Sequence, residues 1–143
     1  MKSNMSFFIV DDDVDDRNLF IEAVKEVDAT IECITANNGE QALALLADPG
    51  TSLPDFIFLD LRMPRIDGKK CLIELKKNEK LKHIPVVIFT TSRDVEESKE
   101  LKEIGAFHFI SKPNDPEEIY YLISFVLDEH WSVSNANDSQ KSI

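Results

Sequence analysis

Short apolar runs alternate with amphipathic segments along most of this sequence. The apolar runs predict five β-strands, at residues 6–10, 31–36, 55–59, 86–89 and 106–110. In the segments between them, apolar residues recur at intervals of three and four positions, which is typical of helices that cover a sheet. The five predicted helices span residues 14–27, 38–47, 68–78, 94–104 and 115–127. Gly105 follows the fourth helix and is predicted to be its left-handed cap.

The strand pattern also indicates how the elements pack. The runs DFIFL at 55–59 and VVIF at 86–89 are almost continuously apolar, as expected for strands that are covered by helices on both faces. Five strands that alternate with five helices predict a parallel sheet with right-handed crossovers. The predicted fold class is therefore α/β, with a doubly wound five-stranded parallel sheet.

The length of 143 residues allows one domain of ordinary size and is too short for two. We predict that this domain spans residues 1–128. Residues 129–143 are polar and poor in apolar side chains, so we expect them to form a disordered C-terminal tail. Because that tail is too short for an output domain, the expected architecture is a single domain.

Charge and composition exclude several classes of function. The net charge of −11 argues against direct nucleic-acid binding, which requires clustered lysine and arginine. No segment approaches the roughly 20 apolar residues of a membrane span, and the N-terminus does not resemble a signal peptide. Cys33 and Cys71 have no metal-ligand or disulfide spacing. We therefore expect a cytoplasmic protein with two reduced thiols and with neither a membrane nor a nucleic-acid partner.

Polar side chains follow the predicted strands at the edge where open α/β sheets bind ligands, outside the carboxyl ends of the strands. They are Asp11, Asp12 and Asp13 after the first strand, Asp60 after the third, Thr90 after the fourth and Lys112 after the fifth. Carboxylates this close repel one another unless a cation lies among them, and oxygen donors suit Mg²⁺. One carboxylate would then be the nucleophile in a phosphoryl transfer, while the metal and Lys112 neutralise charge on the phosphoryl oxygens.

Four sequence pieces carry a family resemblance. They are FFIVDDD at 7–13, FIFLDLRMPRIDG at 56–68, PVVIFTT at 85–91 and GAFHFISKP at 105–113. In this order and at this spacing, they make the chain similar to the receiver domains of two-component response regulators, close to the chemotaxis-type single-domain regulators. The resemblance covers about residues 6–128. It implies a flavodoxin-like (βα)5 fold with strand order 2-1-3-4-5.

The resemblance also implies roles for the acidic residues. Asp60 matches the phosphoacceptor. Asp11 and Asp12 match the acidic pair that holds the metal together with Asp60, and Arg62 would contribute its backbone carbonyl. The implied cofactor is Mg²⁺, with Mn²⁺ as a possible substitute.

Three further residues match the switch of the family. Thr90 matches the hydroxyl that hydrogen-bonds the phosphoryl group, and Lys112 matches the lysine that pairs with it. Phe109 stands at the aromatic switch position without the hydroxyl of the commoner tyrosine, and it either switches or only packs. The Lys112–Pro113 bond matches one that is often cis in the family.

The implied function is that of a response regulator in a two-component phosphorelay. It would not be an enzyme in the ordinary sense, but a phosphoacceptor that assists its own Mg-dependent phosphorylation and slow dephosphorylation. The implied donor is a sensor histidine kinase or a histidine phosphotransfer protein. A downstream protein target would bind the surface of the fourth helix, fifth strand and fifth helix. The protein would be a monomer or a phosphorylation-dependent dimer.

The acidic residues allow other interpretations, of which one remains and the others are excluded or disfavoured by the sequence. Asp13 fits a helix N-cap as well as a metal ligand. An EF-hand loop is excluded, because Asp16 stands where that loop needs glycine and a strand precedes it instead of a helix. A haloacid dehalogenase-type phosphatase is excluded, because Arg62 stands where its general-acid aspartate would be. A receiver that has lost signalling and acts only as a binding scaffold is disfavoured by the intact set of Asp60, Thr90 and Lys112.

Overall fold

The computed structural model describes residues 5–63 and 67–141. Five strands alternate with five helices in this part of the chain. The strands are β1 (Ser6–Val10), β2 (Glu32–Ala36), β3 (Phe56–Leu59), β4 (Val86–Thr90) and β5 (His108–Ser111). The helices are α1 (Val14–Val27), α2 (Gly39–Ala47), α3 (Gly68–Lys77), α4 (Val95–Ile104) and α5 (Glu118–Lys141). The sheet is parallel with the order β2-β1-β3-β4-β5, which confirms the predicted fold class and strand order.

The register of the central strands sets the position of the residues that follow them. Val10 at the end of β1 is paired with Leu59 at the end of β3, and Leu59 is paired with Ile88 in β4. All residues of β1, β3 and β4 are buried, as their nearly continuous apolar sequences predict. Because β1 and β3 end side by side, Asp11 and Asp60 leave the sheet next to each other.

Capping residues fix where four helices begin and where α4 ends. The N-terminal caps of α1 to α4 are side chains that accept hydrogen bonds from backbone N–H groups of the first turn: Asp13, Asn38, Asp67 and Asp94. Gly105 ends α4 with a φ of 133°, so the predicted left-handed cap is confirmed. The N–H groups of Gly105 and Ala106 both donate to the carbonyl of Leu101. That cap keeps Ala106 out of β5, which begins at His108 instead of the predicted residue 106.

The core is divided by the sheet into two parts with different side chains. We call the part under α1 and α5 the aromatic face; its buried rings are Phe7, Phe20, Phe56, Phe58 and Phe89. We call the part under α2, α3 and α4 the aliphatic face; its helices contribute Ala42, Leu46, Cys71, Leu72, Leu75 and Leu101. Helices cover both faces with apolar residues that recur at the predicted intervals of three and four positions.

The last helix differs from the prediction. The backbone of α5 remains helical to Lys141, whereas the sequence pattern predicted a helix end at Leu127. The segment 128–141 contains neither proline nor glycine, so no residue in it breaks a helix that is already formed. The division into a domain at 1–128 and a tail at 129–143 stays a prediction, and residues 142–143 lie outside the described part. No helix among the described residues has the length and apolar character that crossing a membrane requires.

Candidate functional site

Three carboxylates converge at the carboxyl end of the sheet. Asp11 and Asp60 are buried, and Asp12 is exposed beside them. One oxygen from each of the three lies within 4.8 Å of the other two. The structure therefore brings together the three carboxylates that were predicted to hold a metal. Their oxygen-only donor set fits a hard divalent cation.

The backbone around Asp60 is closely packed. The N–H of Asp60 donates to the carbonyl of Val10 at 3.0 Å, which joins the acceptor position to the end of β1. The N–H of Arg62 lies 3.4 Å from Oδ1 of Asp60. A Cβ atom at Gly68 would lie 2.4 Å from the backbone oxygen of Asp60, so only glycine fits at the start of α3. The position of Asp60 is thus fixed from three sides by backbone atoms.

Lys112 extends from the end of β5 into the carboxylate cluster. Its Nζ donates to Oδ2 of Asp11 at 2.8 Å and to Oδ2 of Asp16 at 2.9 Å. Oδ2 of Asp60 is farther away, at 3.5 Å. The N–H of Lys112 donates to the carbonyl of Thr90 at 2.6 Å, so the backbone of this lysine is held by β4.

Burial and pairing act against each other in this cluster. Burial raises the pKa of Asp11 to about 6, although hydrogen bonds from Lys112 and from the N–H of Asp13 act to lower it. Burial alone would lower the pKa of Lys112, but its hydrogen bonds to Asp11 and Asp16 raise it above its ordinary value. The lysine is therefore a firmly charged cation, and it partly offsets the repulsion between the buried carboxylates.

Thr90 and Phe109 lie on the side of the site that faces α4. Thr90 is fully buried, and its Oγ1 lies 3.4 Å from the N–H of Ser92. The hydroxyl of Ser111 in β5 donates to the carbonyl of Ser92 at 2.8 Å, which ties the loop after β4 to β5. Phe109 is paired in register with Ile88 and is half-buried against the aliphatic face. The two predicted switch residues are thus linked through neighbouring strands and one hydrogen-bonded loop.

Two residues of α1 that the sequence pattern did not assign to the site contribute to it. Asp16 pairs with Lys112, and the guanidinium of Arg17 donates to the backbone carbonyl of Asp11 at 2.7 Å. Asp13 is a helix cap, because its side chain accepts a hydrogen bond from the N–H of Asp16. The only available signal for Asp16 and Arg17 was their place in the first turn of a helix that starts at the site.

The described part of the chain has no cis peptide bond, so the Lys112–Pro113 bond is trans, which is the lower-energy isomer of a bond before proline. Residues 64–66, which belong to the second of the four sequence pieces, lie outside the described residues.

The sequence matches a known family over most of its length. A family profile described as "Response regulator receiver domain" matches residues 7–124. The regulatory protein AtoC of Escherichia coli is 35% identical over 119 residues, which are 83% of this chain and 24% of AtoC. The response regulator Rcp1 of Synechocystis sp. is 30% identical over 119 residues, which are 80% of this chain and 81% of Rcp1. The chain thus spans about a quarter of the length of AtoC and most of the length of Rcp1.

Solved structures agree with the sequence relatives. The phosphorylated cyanobacterial phytochrome response regulator RcpA superposes with a TM-score of 0.80 at 28% identity, covering 87% of this chain and 91% of RcpA. A Mn²⁺-bound form of Rcp1 superposes with a TM-score of 0.77 at 28% identity, covering 85% of this chain and 91% of Rcp1. The first of these relatives is phosphorylated, and the second holds a metal ion.

Proposed function

This chain belongs to the family of response-regulator receiver domains, and we propose that it accepts a phosphoryl group on Asp60. Receiver domains are signalling phosphoacceptors rather than typical enzymes, and they interact with histidine kinases and with downstream targets. One observation carries the choice of Asp60. Its buried carboxylate follows the central strand β3, where two other carboxylates and the ammonium of Lys112 converge on it.

The cofactor we propose is Mg²⁺, with Mn²⁺ as a substitute. Receiver domains bind divalent metals, and Rcp1 has been solved with Mn²⁺. In this chain Asp11, Asp12 and Asp60 would hold the ion, together with the backbone carbonyl of Arg62. When bound, the cation supplies positive charge that neutralises the oxygens of the transferring phosphoryl group.

The remaining chemistry belongs to side chains of this chain. A carboxylate oxygen of Asp60 attacks the phosphorus of a phosphohistidine, and the phosphorus–nitrogen bond breaks with its electron pair going to the imidazole. Lys112 places its ammonium beside the phosphoryl oxygens, and Thr90 donates a hydrogen bond to one of them. The product is an acyl phosphate on Asp60, which water then hydrolyses slowly. We place this reaction in the cytoplasm, with a sensor histidine kinase or a histidine phosphotransfer protein as the donor.

A phosphorylation assay tests this proposal. Incubation with acetyl phosphate and Mg²⁺ is expected to add the mass of one phosphoryl group, and Asp60→Asn or EDTA is expected to abolish the addition. Asp15→Asn is the matched control, because Asp15 is an exposed carboxylate of α1 outside the cluster. A mass shift that persists in Asp60→Asn, or that forms equally well in EDTA, would contradict the proposal.

The partner surface we propose comprises α4, β5 and α5. Three observations support it: the buried Thr90, the hydrogen bond from Ser111 to Ser92, and the half-buried ring of Phe109. Movement of the Thr90 hydroxyl toward a phosphoryl oxygen would reach β5 through these contacts. The helix α4 carries exposed carboxylates at Glu96, Glu100 and Glu103, which favours a basic protein partner over a tight homodimer. A dimer induced by phosphorylation would need lysines of the same surface to offset this repulsion.

Amide chemical shifts with beryllofluoride and Mg²⁺ test the proposed partner surface. Perturbations confined to the metal site, with residues 94–127 unchanged, would contradict it.

A further inference from the structure

The ammonium of Lys112 is closer to Asp16 than to Asp60. Its Nζ lies 2.9 Å from Oδ2 of Asp16 and 3.5 Å from Oδ2 of Asp60. Asp16 lies outside the group of carboxylates that can hold a metal, which among the described residues comprises Asp11, Asp12 and Asp60. Asp16 therefore touches the phosphoryl-binding lysine without belonging to the metal site.

The position of Asp16 is fixed by the first turn of α1. Its N–H donates to Oδ1 of the capping residue Asp13 at 3.1 Å, so its carboxylate leaves the helix beside the end of β5. The ion pair with Lys112 is only partly screened by water, because the lysine side chain is 11% exposed and the Asp16 side chain is 38% exposed. Removal of the carboxylate would leave the lysine with Asp11 as its close partner and with Asp60 as its next neighbour.

We propose that Asp16 is a positioning residue that holds Lys112 away from Asp60 and competes with the phosphoryl group for the lysine ammonium. The inference rests on the proposed function, since it takes Asp60 as the acceptor. The carboxylate of Asp16 weakens the binding of a phosphoryl group in two ways. The Asp16 carboxylate occupies a donor of Lys112 that a phosphoryl oxygen would otherwise use, and its negative charge repels an anion that binds at Asp60. The effect on a bound cation is the opposite. The carboxylate of Asp16 attracts a cation, and the ammonium of Lys112, once released from Asp16, would repel one.

The test uses two ligands of opposite charge and a matched pair of variants. Asp16→Asn removes the carboxylate that pairs with Lys112, and Asp15→Asn removes an exposed carboxylate of the same helical turn for which no contact with Lys112 is seen. Beryllofluoride at saturating Mg²⁺ serves as the phosphoryl mimic. Mg²⁺ alone, titrated by calorimetry, serves as the cation. The ¹⁵N resonance of the Lys112 ammonium reports on its pairing in the free protein.

We expect Asp16→Asn to bind beryllofluoride about two- to fivefold more tightly than the parent and Mg²⁺ more weakly by a similar factor, the range of a partly exposed ion pair. The Lys112 ammonium resonance should shift in Asp16→Asn and stay in place in Asp15→Asn. Asp16→Ala should repeat the result, which separates loss of the charge from an effect of the new amide.

Each contrary result has its own meaning. If the parent does not bind beryllofluoride, the proposed function fails. If the parent binds it and Asp16→Asn binds it equally or more weakly, the competition is wrong. If Asp15→Asn matches Asp16→Asn for both ligands, the effect is that of total charge and the ion pair has no special role.

Discussion

The aromatic face and the aliphatic face of the sheet are both well buried, but they are built from different side chains. On the aromatic face the ring of Phe58 lies 5.0 Å from that of Phe7 and 4.7 Å from that of Phe20. Phe20 also contacts Phe89 at 5.4 Å between ring centroids, so the rings form one connected group across β1, β3, β4 and α1. Such rings have few rotamers and prefer tilted or edge-to-face contacts.

The aliphatic face consists mainly of leucine, isoleucine, valine and smaller side chains; it includes the buried ring of Phe8, and the half-buried Phe109 packs against it. Small flexible side chains repack more readily than a group of interlocked rings. We expect that the aromatic face behind the site is the more rigid of the two and that the aliphatic face, toward the proposed switch, is the more adaptable.

The largest expected effect distinguishes the two faces by truncation. Phe58→Ala should lower the free energy of unfolding by about 3–5 kcal/mol, because the neighbouring rings cannot collapse into the cavity. Leu75→Ala, at an equally buried position on the aliphatic face, should cost less, in the lower part of the range of about 2–5 kcal/mol. Chemical denaturation with equal m-values measures both. A greater loss in Leu75→Ala would remove the distinction between the faces.

A smaller effect is expected when a phosphoryl mimic binds. With beryllofluoride and Mg²⁺, the methyl signals of Leu101 and the ring signals of Phe109 should shift, because both lie on the adaptable face. The methyl signals of Val24, which is equally buried under α1 on the aromatic face, should stay in place. Methyl and aromatic NMR spectra measure this directly. Equal shifts at Leu101 and Val24 would show that both faces respond.

The smallest expected effect concerns His108, whose ring packs between Phe107 and Phe125 on the side of the aromatic face. Burial lowers the pKa of His108, while Glu129 acts to raise it and Lys102 adds to the lowering. The unfolded chain therefore takes up the proton first as pH falls, and stability that is fully present above a pH of about 6.5 is lost as the pH falls below it. His108→Phe keeps the ring contacts and should remove this part of the pH dependence. An unchanged slope of unfolding free energy against pH in the variant would contradict it.

The sequence predicted the fold well where a local pattern determines the structure. The continuous apolar runs of β3 and β4 and the cap Gly105 were predicted correctly, because each depends on a few neighbouring residues. The convergence of Asp11, Asp12 and Asp60 was expected because the carboxyl ends of parallel strands meet at one edge, and the order that places β1 beside β3 came from the family resemblance. The end of α5 was missed, because polar composition predicts exposure and does not by itself stop a helix.

The contact between Asp16 and Lys112 could not have been predicted from the sequence. These residues are 96 positions apart, and nothing in either local pattern indicates that their side chains meet. Their meeting depends on the direction in which the first turn of α1 points its side chains relative to the end of β5. That direction is set only when the sheet and its helices have assembled, whereas the strands themselves can be identified from the local sequence.

The pairing of Lys112 with Asp11 has a consequence for how the molecule is made. The two residues are 101 positions apart, so their contact closes almost the largest loop that the domain contains. During synthesis β1 and β3 leave the ribosome well before β5, so the strands that carry Asp11 and Asp60 are available before the ammonium of Lys112 is. Because long loops close late and slowly, the acceptor site should be the last part of the domain to form. Phosphate acceptance would then report that the whole chain has folded.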